Sequence, residues 1–276
     1  MSALRMTRSP REQTSLKMEE TQMKYRDLIF DLYGTLVDIH TEESDTVWEK
    51  TALYFGFYGA HYTGQSLKDA FGKSMAAREA KAGQNYECFP DIPFEQIMTE
   101  LFCSKGAEKD ADSLGINAAQ LFRILSIDHL RLYPHVMDAL TELRKKGYRL
   151  WLLSNAQRVF TEYELRLLGL DRQMDGIYIS SDYECRKPDI RFFHALINEQ
   201  HLDPAKCLMI GNDRETDIAG ATAAGLDTLF MHTGLTPPDQ KAADPALLPG
   251  IAPSGTSHYE YEGDNWIQLA DLLCSL

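Results

Sequence analysis

Tyr25-Arg26-Asp27-Leu28-Ile29-Phe30-Asp31-Leu32-Tyr33-Gly34-Thr35-Leu36 is a short, largely apolar run that closes on an acid, with a glycine three residues beyond it. Such a run, bounded by a turn signal, predicts a buried strand that ends at Asp31. Gly34 lets the backbone bend sharply and leaves the strand end accessible. The arrangement recurs downstream. Residues 148–153 read as a strand closing on Ser154-Asn155, residues 176–180 as one that precedes Arg186-Lys187-Pro188-Asp189, and residues 207–210 as one closing on Gly211-Asn212-Asp213-Arg214-Glu215-Thr216-Asp217. A further strand is predicted over 227–232. Helices are predicted between them over 135–146, 159–168, 189–201 and 215–224, with Gly147, Gly169 and Gly225 as stops. Strands alternating with helices at this spacing imply an α/β fold, a Rossmann-like parallel sheet with helices on both faces. Ligands of such sheets bind at the carboxyl ends of the strands, where all four polar clusters fall.

One block breaks the rhythm. Residues 44–57, 63–82, 93–103 and 118–131 all read as helical, interrupted at Gly59, Gly83, Pro90 and Gly106, with no strand expected among them. The expected organisation is a disordered tail over 1–23, a core made of 24–40 and 131–276, and an inserted helical block over 41–130 of ordinary small-domain size. Residues 236–256, rich in Pro, Ala and Gly, read as loop, and 266–273 as a closing helix. The first 23 residues lack the apolar segment of a secretory signal. Met23 is an alternative start, so the place of residues 1–22 in the native product stays open.

The chain has 276 residues, 44% of them hydrophobic, enough for a sizeable core. Its 41 acidic and 28 basic residues give a formal charge of -13. That field repels nucleic acid and anionic lipid, so the expected partner is a small molecule, with neither nucleic acid nor membrane. No apolar run approaches the ~20 residues of a membrane helix. Cys88, Cys103, Cys185, Cys207 and Cys274 are scattered with no C-x-x-C pair, which reads as reduced thiols in the cytoplasm. Oligomeric state has no signal in the sequence.

The polar clusters make chemical sense together. A carboxylate can attack an electrophilic centre and form an intermediate that water later hydrolyses. A hydroxyl and an ammonium can hold the anion being transferred, and further acids can complete an oxygen-only magnesium site with the nucleophile. Each residue also has a plainer reading: Asp31 as a turn residue, Ser154 and Asn155 as helix caps, Lys187 as a solvated lysine, Asp213 and Asp217 as acids at a helix start. The ordered recurrence at four strand ends favours the functional one. Other signals fail. Gly72-Lys73-Ser74 lacks the P-loop glycine, because position 67 is Leu, and no histidines show zinc-hydrolase spacing. The aromatic group Tyr54, Phe55, Phe57, Tyr58 and Tyr62 reads as core of the helical block.

The four clusters resemble the four ordered motifs of the haloacid dehalogenase-like superfamily, over residues 25–232, and the helical block resembles that family's cap. Asp31-Leu32-Tyr33-Gly34-Thr35-Leu36 is the strongest match. The resemblance implies a hydrolase with Asp31 as covalent nucleophile, Ser154 and Lys187 gripping the transferred group, and Asn155 orienting substrate. It further implies magnesium held by Asp31, the Tyr33 backbone carbonyl and side chains among Asn212, Asp213 and Asp217. Two departures stand out. Phosphatases of the family usually carry a second Asp two residues after the nucleophile, where this chain has Tyr33, as 2-haloacid dehalogenases of the family do. Those dehalogenases, however, carry an arginine early in the cap, and residues 39–72 contain none. In the fourth motif the family's Gly-Asp is Gly211-Asn212 here, with Asp213 next. The expectation is a magnesium-dependent phosphatase of a small phosphorylated metabolite. The alternatives are a metal-free dehalogenase-like hydrolase and a non-catalytic binding protein on the same fold.

Overall fold

The computed structural model describes residues 23–79, 89–237 and 255–276. Six strands form one parallel sheet: β1 (Asp27–Phe30), β4 (Arg149–Ser154), β5 (Gly176–Ile179), β6 (Cys207–Gly211), β7 (Asp227–His232) and β8 (His258–Glu262). They lie side by side in the order β5-β4-β1-β6-β7-β8. The pleat divides the core in two. Leu28 and Phe30 of β1, Leu150 and Leu152 of β4, and Leu208 and Ile210 of β6 face one hydrophobic layer. Ile29, Trp151, Leu153, Cys207 and Met209 face the other. Successive side chains of a strand alternate between faces, so a strand covered on both sides is apolar throughout. The polar exception in β1, Asp27, is buried and paired with Arg149 and with the Trp151 indole, whose Nε1 donates to it at 2.8 Å.

On the first face lie α5 (Val136–Lys145), α6 (Arg158–Leu168) and α10 (Trp266–Ser275); on the second lie α8 (Ile190–Glu199) and α9 (Ala219–Ala223). The apolar stripe expected on α5 is present, with Val136, Leu140 and Leu143 all buried. Gly169 ends α6 in the left-handed region. A short helix, α7 (Ser180–Tyr183), follows β5, so Ser180 belongs to it and not to the strand.

Four helices are inserted after the first strand: α1 (Asp45–Phe57), α2 (Gly64–Glu79), α3 (Phe94–Cys103) and α4 (Ala111–Ser126). They enclose a hydrophobic cluster of their own, from Val47 and Trp48 to Phe122. Of the aromatic group noted in the sequence, Phe55 stacks on Phe102 at 3.8 Å, whereas Phe57 lies exposed. The insert is entered and left through a two-stranded antiparallel ribbon, β2 (Val37–Thr41) with β3 (Ile127–Leu132).

Some expectations need correction. The helix expected over 118–131 begins at Ala111 and gives way at Ile127 to β3, because residues 127–132 pair with β2. The helix expected over 215–224 opens with a wide π-type turn, Arg214–Ile218, before α9. β8 was not anticipated; its half-buried residues alternate with exposed ones, as suits a sheet edge. The expected tail, apart from Met23, lies outside the described residues, as do Cys88 and most of the expected loop at 236–256. No helix among the described residues is long and apolar enough to cross a membrane.

Candidate active site

β1 delivers Asp31 to the carboxyl edge of the sheet, where its backbone N–H still donates to the Ile210 carbonyl at 3.0 Å. The chain then turns through Gly34 at φ 90°, a conformation that L side chains rarely adopt. A Cβ at Gly34 would also collide with the side-chain amide of Asn212. The close approach places Thr35 between two motifs: its hydroxyl lies 3.3 Å from Asp31 Oδ2 and 3.2 Å from Asn212 Oδ1. Its one hydrogen is thus within reach of two acceptors, one from each motif.

Lys187 is 1% exposed. Its ammonium donates to Asp31 Oδ1 at 2.7 Å, Asp217 Oδ1 at 2.6 Å and the Leu153 carbonyl at 2.7 Å. An ammonium has three hydrogens, and here each has an acceptor. Burial pulls the lysine pKa down, but the carboxylates of Asp217 and Asp31 outweigh it and leave the group above its ordinary value, a fixed cation. Asn155 clamps the Lys187 backbone from both sides: its Oδ1 accepts from Lys187 N at 2.7 Å and its Nδ2 donates to Lys187 O at 3.0 Å. One N–H of this amide and one lone pair of its oxygen stay available on the cavity side.

The fourth cluster follows β6. Asp213 caps the π-type turn, its Oδ1 accepting from the N–H groups of Glu215 and Thr216 at 2.9 Å each. Asp217 is 1% exposed, and both its oxygens are engaged, one by Lys187 and the other by the Asp213 N–H at 3.1 Å. Burial pushes its carboxyl above the usual range, with Asp31 adding to the shift and Lys187 opposing it. Asp217, expected as a metal ligand, thus also ties Lys187 to the turn after β6, and each of its oxygens keeps a second lone pair.

A polar cavity of about 250 Å³ gathers Asp31, Tyr33, Asn155, Lys187, Asn212 and Asp213, together with Asp217. The described residues of the helical insert contribute nothing to its wall; Leu235 and Pro237, beyond β7, do. Ser154 ends β4 next to Asn155 and is fully buried, yet its hydroxyl has no partner. Buried hydroxyls are seldom left unpaired; Ser154 is not itself among the residues that line the cavity, although its neighbour Asn155 is. Tyr33 contributes to the wall but sends its hydroxyl elsewhere, donating to Glu164 Oε2 at 2.5 Å on α6 and meeting Thr161 Oγ1 at 3.0 Å. Burial and the neighbouring Glu164 charge raise the phenol pKa far above its usual value.

The lining carries three carboxylates, Asp31, Asp213 and Asp217, against one ammonium. Such a pocket repels an anionic substrate until a cation offsets the excess. Among the described residues no three His, Cys, Asp or Glu side chains are gathered to hold a metal by themselves. A magnesium ion, which takes one or two carboxylates and keeps several waters, would draw on Asp31 with neutral oxygens. The Tyr33 carbonyl and the Asn212 side chain are of that kind, so the donor chemistry fits. Thr35, Glu164 and Arg123 were missed from sequence. Thr35 stood inside the first motif with only a hydroxyl to mark it, and the other two lie outside every motif.

A haloacid dehalogenase-like hydrolase family model matches residues 26–225. A glyceraldehyde 3-phosphate phosphatase of Methanothermobacter thermautotrophicus is 33% identical over 107 residues, 39% of this chain and 47% of that protein, so the match spans about half of that relative. Human N-acylneuraminate-9-phosphatase is 26% identical over 224 residues, 78% of this chain and 86% of its own. The solved 2-haloacid dehalogenase from Pseudomonas syringae pv. Tomato DC3000 superposes with a TM-score of 0.61 at 19% identity, over 91% of this chain and 99% of that one, a likeness of fold.

Proposed function

The chain belongs to the haloacid dehalogenase-like hydrolases, and we propose that it is a magnesium-dependent phosphatase of a small phosphorylated metabolite, with Asp31 as its covalent nucleophile. The setting of Asp31 carries this reading: a carboxylate in the wall of a polar cavity, with one oxygen held by a saturated, buried ammonium. An oxygen of Asp31 attacks phosphorus, the bond to the leaving oxygen breaks, and an aspartyl-phosphate forms. Water then attacks that phosphorus, releasing inorganic phosphate and restoring the carboxylate. Lys187 stays protonated throughout and offsets the charge of Asp31 and Asp217. The buried Ser154 hydroxyl supplies a donor to the phosphoryl group, and Asn155 keeps Lys187 in register. Magnesium, when bound, neutralises phosphoryl charge; Asp31, the Tyr33 carbonyl and Asn212 are the residues to hold it, with Asp213 beside them. The four described cysteines are free thiols, which supports a reducing, cytoplasmic setting.

Tyr33 favours a second reading, dehalogenation by attack on carbon, in which halide leaves without a proton. Against it, no arginine stands among the described residues lining the cavity, so a substrate carboxylate would meet no guanidinium there. A panel of phosphorylated metabolites with 2-chloropropionate beside it, assayed with magnesium and with EDTA, separates the readings. Magnesium-dependent phosphate release is expected. Dehalogenation that survives EDTA, with no phosphate released from any ester, would overturn the proposal.

A further inference from the structure

Tyr33 lies two residues beyond the nucleophile, and its hydroxyl belongs to a buried network that no motif contains. Glu164, on α6, is 5% exposed and accepts the Tyr33 hydroxyl. The same carboxylate is gripped at both oxygens by Arg123 of α4: Nε donates to Oε1 at 2.6 Å and Nη2 to Oε2 at 2.9 Å. The guanidinium also lies over two rings, 5.5 Å from the centroid of Tyr33 and 4.7 Å from that of Phe160. Three segments distant in sequence thus meet at one carboxylate: the nucleophile loop, the helix that follows Ser154-Asn155, and the last helix of the insert. A two-point charged grip is both strong and directional, and a buried carboxylate without its cation is costly.

We propose that Glu164 and Arg123 are positioning residues: they hold the Tyr33 side chain on α6, clear of the leaving-group side of Asp31, and they couple the position of the helical insert to the loop that carries the nucleophile. The catalytic half of this statement rests on the phosphatase reading; the coupling half does not. Tyr33→Phe deletes one hydroxyl and keeps the ring. Arg123→Met combined with Glu164→Gln removes both charges at once, so no buried ion is left unpaired. Hydrogen exchange followed by mass spectrometry reads the coupling without any substrate. In the double variant the N–H groups of Gly34, Leu36 and Val37, bonded within the nucleophile loop, should exchange faster together with the C-terminal turns of α4. An increase of roughly tenfold or more is the size expected on losing a charged hydrogen bond. β6 should keep its protection. Unchanged exchange in the loop, with α4 alone loosened, would overturn the coupling, and so would a uniform rise across the sheet, which marks general destabilisation.

The kinetic arm uses p-nitrophenyl phosphate with magnesium, with turnover expressed per active site titrated by the p-nitrophenol burst or by aspartyl-phosphate labelling. Positioning predicts that kcat per site falls about tenfold in Tyr33→Phe and further in the double variant, with KM changed less than threefold. A merely structural role would lower the melting temperature and the number of active sites while leaving kcat per site intact, and that result overturns the positioning role. If the wild type releases no phosphate from any ester, the phosphatase reading fails, and the exchange measurement still decides the coupling.

Discussion

The Lys187 ammonium stands 2.7 Å from an oxygen of Asp31 and has no hydrogen left for anything else, because Asp217 and the Leu153 carbonyl take the other two. Lysine at this place is therefore a fixed counter-charge and not a proton donor. Lys187→Met would leave two buried carboxylates facing each other with no cation between them. The expected result is a loss of at least ~10²-fold in kcat with ~3–5 kcal/mol of stability, the range for breaking one side of a buried ion pair. Urea unfolding and p-nitrophenyl phosphate turnover check both. Lys187→Arg should not rescue, since a planar guanidinium cannot present three hydrogens to acceptors converging on one point. Activity within tenfold of wild type in either variant would contradict this account.

Asp31→Asn should abolish turnover with little change in fold. The amide is nearly the same size, keeps an oxygen for Lys187 and turns its NH2 to the Thr35 hydroxyl, which can accept, but it is a far weaker nucleophile, so a loss of several orders of magnitude is expected. Intact-mass measurement after an acid quench should show a phosphoryl adduct on the wild type and none on the variant. An adduct that persists in Asp31→Asn places the nucleophile elsewhere.

The sheet and most of the site were legible because both depend on local pattern. Each of the four clusters sits at or shortly after the end of an apolar run, and strand ends converge in a parallel sheet whatever fills the connections. The half-exposed strands were harder. In β3 the helix-like pattern of α4 runs straight into residues 127–132, and only pairing with β2 makes that stretch extended. β8 owes its place to β7, whose residues Thr228–His232 it pairs with, again not a local signal. The partner of Tyr33 was invisible for the same reason: Glu164 lies 131 residues away and reads as one more charged helix residue. For Asp217, expected as a metal ligand, spacing shows that two acids are close but not its contacts with Lys187 and the Asp213 N–H.

That distinction can be tested at the metal. Asp217→Asn should lower activity through Lys187 and weaken magnesium binding as well, read by calorimetry on the folded variant, since it removes one of the three carboxylate charges that line the cavity. Asn212→Asp should instead raise magnesium affinity by about tenfold or more, because it converts a neutral oxygen donor next to Asp31 into a carboxylate. The same substitution should destabilise the metal-free protein, as it adds a like charge. Unchanged affinity in Asp217→Asn would remove Asp217 from the balance of charge at the metal, and unchanged affinity in Asn212→Asp would remove Asn212 from the ligand set.

The remaining prediction concerns the proton that an ester leaving group needs. The Tyr33 hydroxyl is committed to Glu164 and its pKa is raised by burial, and the hydrogens of Lys187 are all engaged. General-acid help is worth ~10²–10⁴-fold, and neither group is placed to give it. Turnover should therefore depend steeply on the leaving group: acyl and aryl phosphates fast, alkyl phosphates slower by a factor approaching that range. Tyr33→Asp loses the Glu164 contact as Tyr33→Phe does, so aryl phosphate turnover should fall about tenfold, while the ratio of alkyl to aryl turnover should rise because a carboxyl now stands beside the leaving group. The substitution should also cost about 1–3 kcal/mol of stability, because Glu164 loses a buried donor. Presteady-state bursts on both substrate types show whether the first chemical step is being compared. If the wild type forms the aspartyl-phosphate from an alkyl ester as fast as from an aryl one, some other group supplies the proton. The placement of Tyr33 would then have no bearing on substrate choice.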